Sequence, residues 1–317
     1  MWIYSSERYV LPLPPGHRFP SPKYAALRRR VATLAPERMR EPEPATDVEL
    51  CRTHAPEYVA DVVSGALDAA AQRRIGFPWS PEMVARSRHS AGATLAACRS
   101  ALEHGCGINL AGGTHHAHRG WGSGFCVFND AAVAIRTLQA EGRIVRAMVI
   151  DLDVHQGDGT AAILAGDDTT FTLSLHGRRN FPFRKASSDL DVELDDGTGD
   201  RAYLSALHAA LRVALDRFAP DVALYLAGAD PYVGDRLGRL ALTKDGLAAR
   251  DRFVLETMAA RRVPVAIAMA GGYAADIEDS VDIHATTIAI ALGIHGLGAL
   301  ASGRNPLPRV VLDSTDE

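Results

Sequence analysis

"RAMVIDLDVHQGDG", Arg146 to Gly159, joins two unlike kinds of sequence. "RAMVI" is a nearly continuous apolar run of strand length, which is how a strand covered on both faces reads. From Ile150 to Gly159 the next ten residues hold three aspartates and a histidine. Carboxylates at the end of a buried strand are costly unless something positive or hydrogen-bonding meets them. Four further runs have the same character: "GINLAGG" (107–113), "TTFTLSLH" (169–176), "DVALYLAG" (221–228) and "VPVAIAMAGG" (263–272). Helical stretches fall between and around them. "SPKYAALRRRVATL" has apolar residues at helical spacing, and "SPEMVARSRHSAGATLAACRSAL" opens on a serine cap followed by proline. "NDAAVAIRTLQAEG" starts on an Asn-Asp cap, and "GDRAYLSALHAALRVALDRF" is long and amphipathic. Strands alternating with helices imply an α/β fold: one mostly parallel sheet flanked by helices, a single domain over residues 1–317.

The bulk numbers narrow the function classes. The chain has 317 residues, 47% of them hydrophobic, enough for a sizeable core. A net charge of -4 leaves no global basic field to attract nucleic acid. Cys51, Cys98, Cys106 and Cys126 form no CxxC pair and read as reduced thiols of a cytoplasmic protein, three of them core filler. No signal peptide is legible at the N-terminus, and no apolar run reaches the ~18 residues of a membrane span. The loop-like stretch is the proline-rich Leu11 to Pro22, and the tail "LPRVVLDSTDE" (307–317) is polar and expected to fray.

In a parallel sheet, ligands bind outside the carboxyl ends of the strands. The polar residues collect there. "THHAHRG" follows the first apolar run, "DLDVHQGDG" ends the next, "SLH" ends the third, "ADP" follows the fourth, and Tyr273 follows the last. In an extended segment Asp151, Asp153 and His155 share a face. Asp153 and His155, with Asp230 from another strand end, offer two oxygens and an imidazole, a set that suits a divalent cation such as zinc. Three protein ligands leave room for water or substrate. A single aspartate after a strand is most often a cap or a solvated carboxylate, but an Asp-x-Asp-x-His run on a buried strand needs partners. His115 and His116 follow two glycines at a strand end, where a pair can divide general-base and general-acid work; the bland alternative is a surface loop. Tyr273, after Gly271 and Gly272, is placed either to donate to a developing oxyanion or to pack under a loop. Phe125, taken alone, reads as core. His118 and His176 are left without a catalytic role.

Taken jointly and in order, "AGGTHHAHRGWGSGFCVFND", "VIDLDVHQGDGT", "LSLH", "AGADP" and "AGGYA" resemble the motif series of the zinc-dependent histone deacetylase family, which also includes acetylpolyamine amidohydrolases. The resemblance runs from about Cys51 to Ile294, and "DLDVHQGDG" and "DPYVGDRLGRLALT" look most like the class IV group and its bacterial relatives. It implies an arginase/deacetylase-like fold and hydrolysis of an N-acyl-lysine amide. It implies Zn2+ on Asp153, His155 and Asp230, and catalytic His115, His116 and Tyr273, with Asp151 and Asp158 hydrogen-bonded to the first and second histidine. It implies a structural K+ near Asp151, Asp153, His155, Ser174 and Leu175. It implies a substrate channel flanked by Gly124 and Phe125 and reaching Gly271 and Gly272. The second channel aromatic is Phe181 or Phe183, because "GRRNFPFRK" departs from the family pattern. Leu237 stands where polyamine-specific members carry a glutamate.

The expected partner is an acylated lysine in a protein or peptide, or a small acylated amine; acyl-chain length and oligomeric state are not legible. Two competing readings are an arginase-like ureohydrolase, which needs a two-metal site, and a non-catalytic acyl-lysine binder, which would lack a ligand, a histidine or the tyrosine.

Overall fold

The computed structural model describes residues 1–6 and 10–296; the tail 307–317 expected to fray lies outside the described residues. The described strands are β1 (Ile3–Tyr4), β2 (Met39–Arg40), β3 (Cys106–Asn109), β4 (Ala147–Asp151), β5 (Thr170–Gly177), β6 (Leu190–Leu194), β7 (Val222–Leu226) and β8 (Val265–Ala268). They form one sheet in the order β2-β1-β3-β8-β7-β4-β5-β6, and every pairing is parallel. The five apolar runs of the sequence are the five central strands. The three strands without such a run lie at the two margins.

The described helices are α1 (Pro22–Leu34), α2 (Asp47–Cys51), α3 (Pro56–Ser64), α4 (Ala69–Ile75), α5 (Pro81–His104), α6 (Asp130–Ala140), α7 (Asp158–Leu164), α8 (Asp200–Arg217), α9 (Lys244–Arg261) and α10 (Ile277–His295). Ser80 caps α5 by accepting the Met83 amide at 3.1 Å, and Asn129 caps α6 by accepting the Ala132 amide at 3.0 Å, as their residue types favour.

Strand pleat divides the core in two. Met148 and Ile150 of β4 join Leu27 of α1, Leu207 and Leu211 of α8, Val254 and Met258 of α9 and Ile288 of α10. Ala147 and Val149 face the other way, toward Leu95 and Cys98 of α5, Ile135 and Leu138 of α6 and Leu164 of α7. A β4 whose neighbours cover both faces must be apolar at every position until its end, which is the pattern seen. A third apolar cluster, with Leu50, Tyr58, Val62, Ile75 and Phe128, packs α2, α3 and α4 beside α6. Cys98, Cys106 and Cys126 are buried, Cys51 is half-buried, and none is disulfide-bonded. Among the described residues no helix is long and apolar enough to cross a membrane.

Candidate active site

Because all eight strands run the same way, their carboxyl ends open on one side of the sheet. Asp151, Asp153, His155, Asp230 and Gly271 meet there. The regular ladder of β4 ends at Asp151, but the Leu152 amide still donates to the Leu226 carbonyl at 3.1 Å and the Val154 carbonyl accepts the Gly177 amide at 2.9 Å. Leu152 and Val154 join Met148 and Ile150 in the same core cluster, so alternation leaves Asp151, Asp153 and His155 to the other face. Side-chain hydrogen bonds fix the backbone beyond the ladder. Asp151 accepts the amide of Asp153 at 3.2 Å, and Asp153 accepts the amide of His155 at 2.9 Å. Such residue-to-second-neighbour bonds are the local turns that aspartate favours.

The turn brings His155 Nδ1 to 2.9 Å from Asp153 Oδ1 and 3.2 Å from Asp230 Oδ2. One donor atom from each of Asp153, His155 and Asp230 lies within 4.8 Å of the others. The remaining carboxylate oxygens are tied back: Asp230 Oδ1 accepts the Val154 amide at 2.9 Å, and Asp153 Oδ2 accepts the Gly271 amide at 2.7 Å. A Cβ on residue 271 would sit 1.8 Å from Asp230 Oδ2 and 2.6 Å from Asp153 Oδ2, so only glycine fits there. Asp230 Oδ2 is buried and has no hydrogen-bond donor. Burial first, and then the charge on Asp153, push its carboxyl up to about 7. Burial opposes charge on His155 too, but its two carboxylate neighbours lift it to about 10. Two crowded carboxylates with an orphaned oxygen and a converging imidazole fit a divalent cation.

His115 and His116 are almost fully buried, with ring centroids 4.2 Å apart. His115 Nδ1 lies 2.7 Å from Asp151 Oδ2, and His116 Nδ1 lies 2.6 Å from Asp158 Oδ1. Their surroundings separate them. At His115 burial is overcome by the Asp151 and Asp153 carboxylates, and its pKa rises to about 9. At His116 burial and the charge on His115 prevail over Asp158, and its pKa falls to about 4. Neighbouring titratable groups pushed apart in this way suit opposite proton-transfer roles.

A cavity of about 640 Å³ descends to this point, and Asp153, His155, Asp230, both histidines, Gly271 and Tyr273 all line it. Gly124 and Phe125 form part of its wall; both have left-handed backbone, φ 54° and 67°, a conformation that phenylalanine adopts only when its surroundings impose it. The amides of Gly124 and Phe125 donate to the carbonyls of Arg74 and Ile75 at 3.1 and 2.7 Å. Phe181 and Phe183 both line the cavity, at different depths. Phe181 stands edge-on to His116 at 4.8 Å, whereas Phe183 is 87% exposed. Leu237 is a further lining residue. Ser174 pairs in register with Asp151 across the β4–β5 ladder, and Ser174 and Leu175 are buried. Gly272 has φ 153° and its carbonyl accepts from the buried Lys23 at 3.2 Å.

Several supporting residues were given no role of their own by the sequence reading, although Asp130 and Asp235 lie inside motifs it quoted. Asp130, read only as part of a helix cap, accepts the amides of Gly113 and Thr114 at 2.9 and 2.8 Å and so holds the loop that presents the histidines. Asp235 accepts the amides of Tyr273, Leu237 and Gly238 at 2.5, 2.8 and 2.9 Å, fixing the tyrosine's backbone. Buried Arg250 donates to the carbonyls of Leu152 and Gly228, each close to a candidate ligand. Only the pairing of such polar residues with distant backbone, invisible along the chain, marks them.

The comparisons with known proteins point to one family. The histone deacetylase domain profile matches residues 17–288. An uncharacterized protein of Picosynechococcus sp. is 47% identical over 279 residues, 87% of this chain and 93% of that one. Histone deacetylase 2 of Arabidopsis thaliana is 31% identical over 298 residues, covering 88% of this chain and 77% of that protein. The crystal structure of a histone deacetylase homologue from Aquifex aeolicus superposes with a TM-score of 0.79 at 25% identity, covering 93% of this chain and 84% of that one. The all-parallel sheet is thus shared with a histone deacetylase homologue, the domain match spans most of the chain, and the chain belongs to the histone deacetylase family.

Proposed function

We propose that this member of the family is a zinc-dependent amidohydrolase that removes an acyl group from an N-acyl-lysine side chain. The observation that carries the reading is the convergence of Asp153, His155 and Asp230 within 4.8 Å, beside two histidines that each have a carboxylate on Nδ1. Asp153, His155 and Asp230 would hold zinc, which when bound polarises the amide carbonyl and acidifies water. His116, neutral at ordinary pH, accepts the proton of the attacking water on Nε2, because Asp158 occupies its Nδ1. His115 keeps its proton beside Asp151 and steadies negative charge as the amide carbon becomes tetrahedral. Tyr273 donates its phenol hydrogen to the developing oxyanion; burial raises its pKa well above 10, so that the hydrogen is retained. Phe125 and Phe181 flank the lysine's methylene chain and keep water from the amide. The backbone around Asp151, Asp153, His155, Ser174 and Leu175 would hold the structural K+. As the C–N bond breaks, the proton held on His116 Nε2 passes to the departing lysine nitrogen, so that the products are a free lysine amine and a carboxylate.

The test is turnover of lysine peptides carrying acyl groups of increasing length, with metal stoichiometry measured on the same preparation. One divalent ion per chain and chelator-sensitive release of the acid support the reading. Two metals per chain would favour the ureohydrolase alternative, and acyl-lysine binding without turnover would favour a non-catalytic binder.

A further inference from the structure

The cavity changes chemistry from foot to mouth. Its foot is acidic, with Asp153 and Asp230, and its wall is aromatic. Five of its lining residues are exposed arginines, which places them toward the mouth: Arg18 before α1, Arg73 and Arg74 at the end of α4, Arg179 after β5 and Arg239 after β7. The chain holds 31 arginines and 3 lysines against 38 acidic residues, yet no exposed carboxylate lines this cavity, whose acidic lining residues are the buried Asp153 and Asp230. Nor are these five arginines consumed by ion pairs. Asp196 is shared by Arg239 and Arg179, at 3.2 and 3.8 Å, and Arg18, Arg73 and Arg74 meet no carboxylate among the described residues. The α4 dipole favours basic residues in its last turn, but it does not reach Arg18, Arg179 or Arg239.

The arginines are attached to the channel. The carbonyls of Arg74 and Ile75 hold the amides of Gly124 and Phe125, so the end of α4 is fixed against one wall. Across the opening, Asn180 accepts the Arg239 amide at 3.2 Å and donates to the Leu237 carbonyl at 2.8 Å, joining the loops that carry Arg179, Phe181 and Arg239. Arg74 lies over the ring of Trp121, 5.2 Å from its centroid.

We propose that this mouth selects acyl-lysines flanked by aspartate or glutamate. The proposal rests on the deacylase reading, in which the acyl group occupies the foot and the residues next to the lysine lie at the opening. Guanidinium groups pair with carboxylates through planar, two-pronged hydrogen bonds, and a cluster of one sign steers opposite charge into a cleft. Polyamines and lysine-rich segments meet the same field as repulsion.

The experiment compares three acetyl-lysine peptides of equal length, with acidic, neutral or basic flanks, on the metal-loaded protein. Both kcat/KM and binding by fluorescence anisotropy are read at low and high salt. The acidic peptide is expected to exceed the basic one by about 10-fold or more, mainly through KM, with the ratio shrinking as salt screens exposed charge. In Arg73→Gln/Arg74→Gln, whose side chains are exposed and outside the core, the ratio moves toward one. Equal binding and equal kcat/KM across flanks, insensitive to salt, would overturn the proposal while leaving the deacylase reading intact. Preferential binding of the acidic peptide without turnover of any peptide would uphold the mouth and overturn the deacylase reading. A single-stranded oligonucleotide displacing the acidic peptide at equal concentration would reassign the arginines to nucleic acid and overturn the peptide preference.

Discussion

Replacing Arg250 by methionine is expected to destabilise the protein and loosen its metal site together. The guanidinium on α9 is fully buried. Its Nε donates to Asp251 Oδ1 at 2.8 Å, and its Nη1 donates to the carbonyls of Gly228 at 2.7 Å and Leu152 at 3.2 Å. Leu152 precedes Asp153, and Gly228 lies two residues before Asp230, so one cation holds both ligand-bearing strand ends. Methionine removes those three bonds and leaves Asp251 as a buried carboxylate facing two neutral donors, Tyr225 at 2.5 Å and Thr287 at 2.6 Å. Breaking a buried pair costs about 3–5 kcal/mol, and the two surviving hydroxyls argue for the lower half of that range. An unfolding entropy of about 2.1 cal/mol/K per residue makes each kcal/mol about 1.5 °C in a chain this long, so Tm should fall by about 5 °C. Urea denaturation of Arg250→Met, Asp251→Asn and the double variant checks the cause. Neutralising Asp251 removes the stranded charge, so the double variant should be more stable than the sum of the singles by about 1 kcal/mol or more. Zinc affinity, from competition with a chromophoric chelator, should weaken by about 10-fold or more. Additive single-variant losses with unaltered metal affinity would refute the reasoning.

Three further outcomes are expected. Tyr273→Phe should lower kcat on an acetyl-lysine peptide by about 10²–10³ with little change in KM; wild-type turnover would remove the tyrosine from the mechanism. Gly271→Ala should fold yet bind little metal, because the added methyl would lie 1.8 Å from Asp230 Oδ2; a full metal complement by elemental analysis would contradict the close packing seen here. His54 should make the protein acid-sensitive. Its Nδ1 donates to the His118 carbonyl at 3.0 Å, its Nε2 accepts the Asn129 amide at 2.9 Å, and burial lowers its pKa to about 4. The folded pKa lies below the unfolded value of about 6.5, so the folded state binds fewer protons. Its contribution is intact above about pH 6.5 and is lost as pH falls toward 4. The advantage of wild type over His54→Gln in urea should shrink by about 2 kcal/mol between pH 7 and 5; a constant advantage would show that His54 does not titrate as described.

Legibility along the chain followed burial. β3, β4, β5, β7 and β8 each lie between two covered neighbours, so packing demands apolar residues throughout, and the runs stand out. β1 and β2 have two residues each and β6 is mostly half-buried, so their residues answer to solvent as much as to the sheet, and no pattern marks them. The candidate metal ligands and the histidine pair were legible for a related reason. Carboxylates and imidazoles at the ends of buried strands need partners, and most of their neighbours in sequence are apolar. Asp130, Asp235 and Arg250 were not, because the bonds that tie them to the site, to Thr114, Tyr273 and Leu152, reach backbone 16, 38 and 98 residues away.

By itself, then, the sequence determined the class of fold, the central strands and the residue types at the foot of the site, because those follow from local burial and local chemistry. Only the tertiary structure decided which of them meet. The parallel order β3-β8-β7-β4 sets the loop of His115 and His116, the Gly271–Tyr273 turn, Asp230 and Asp153 side by side, though they come from segments dozens of residues apart. It also decided that Asp230 and the Gly271 amide meet the segment of Asp153 and His155, and that arginines from four separate segments line one cavity. Strand order and turn geometry arise from contacts between distant parts of the chain, and a local pattern of residues does not encode them.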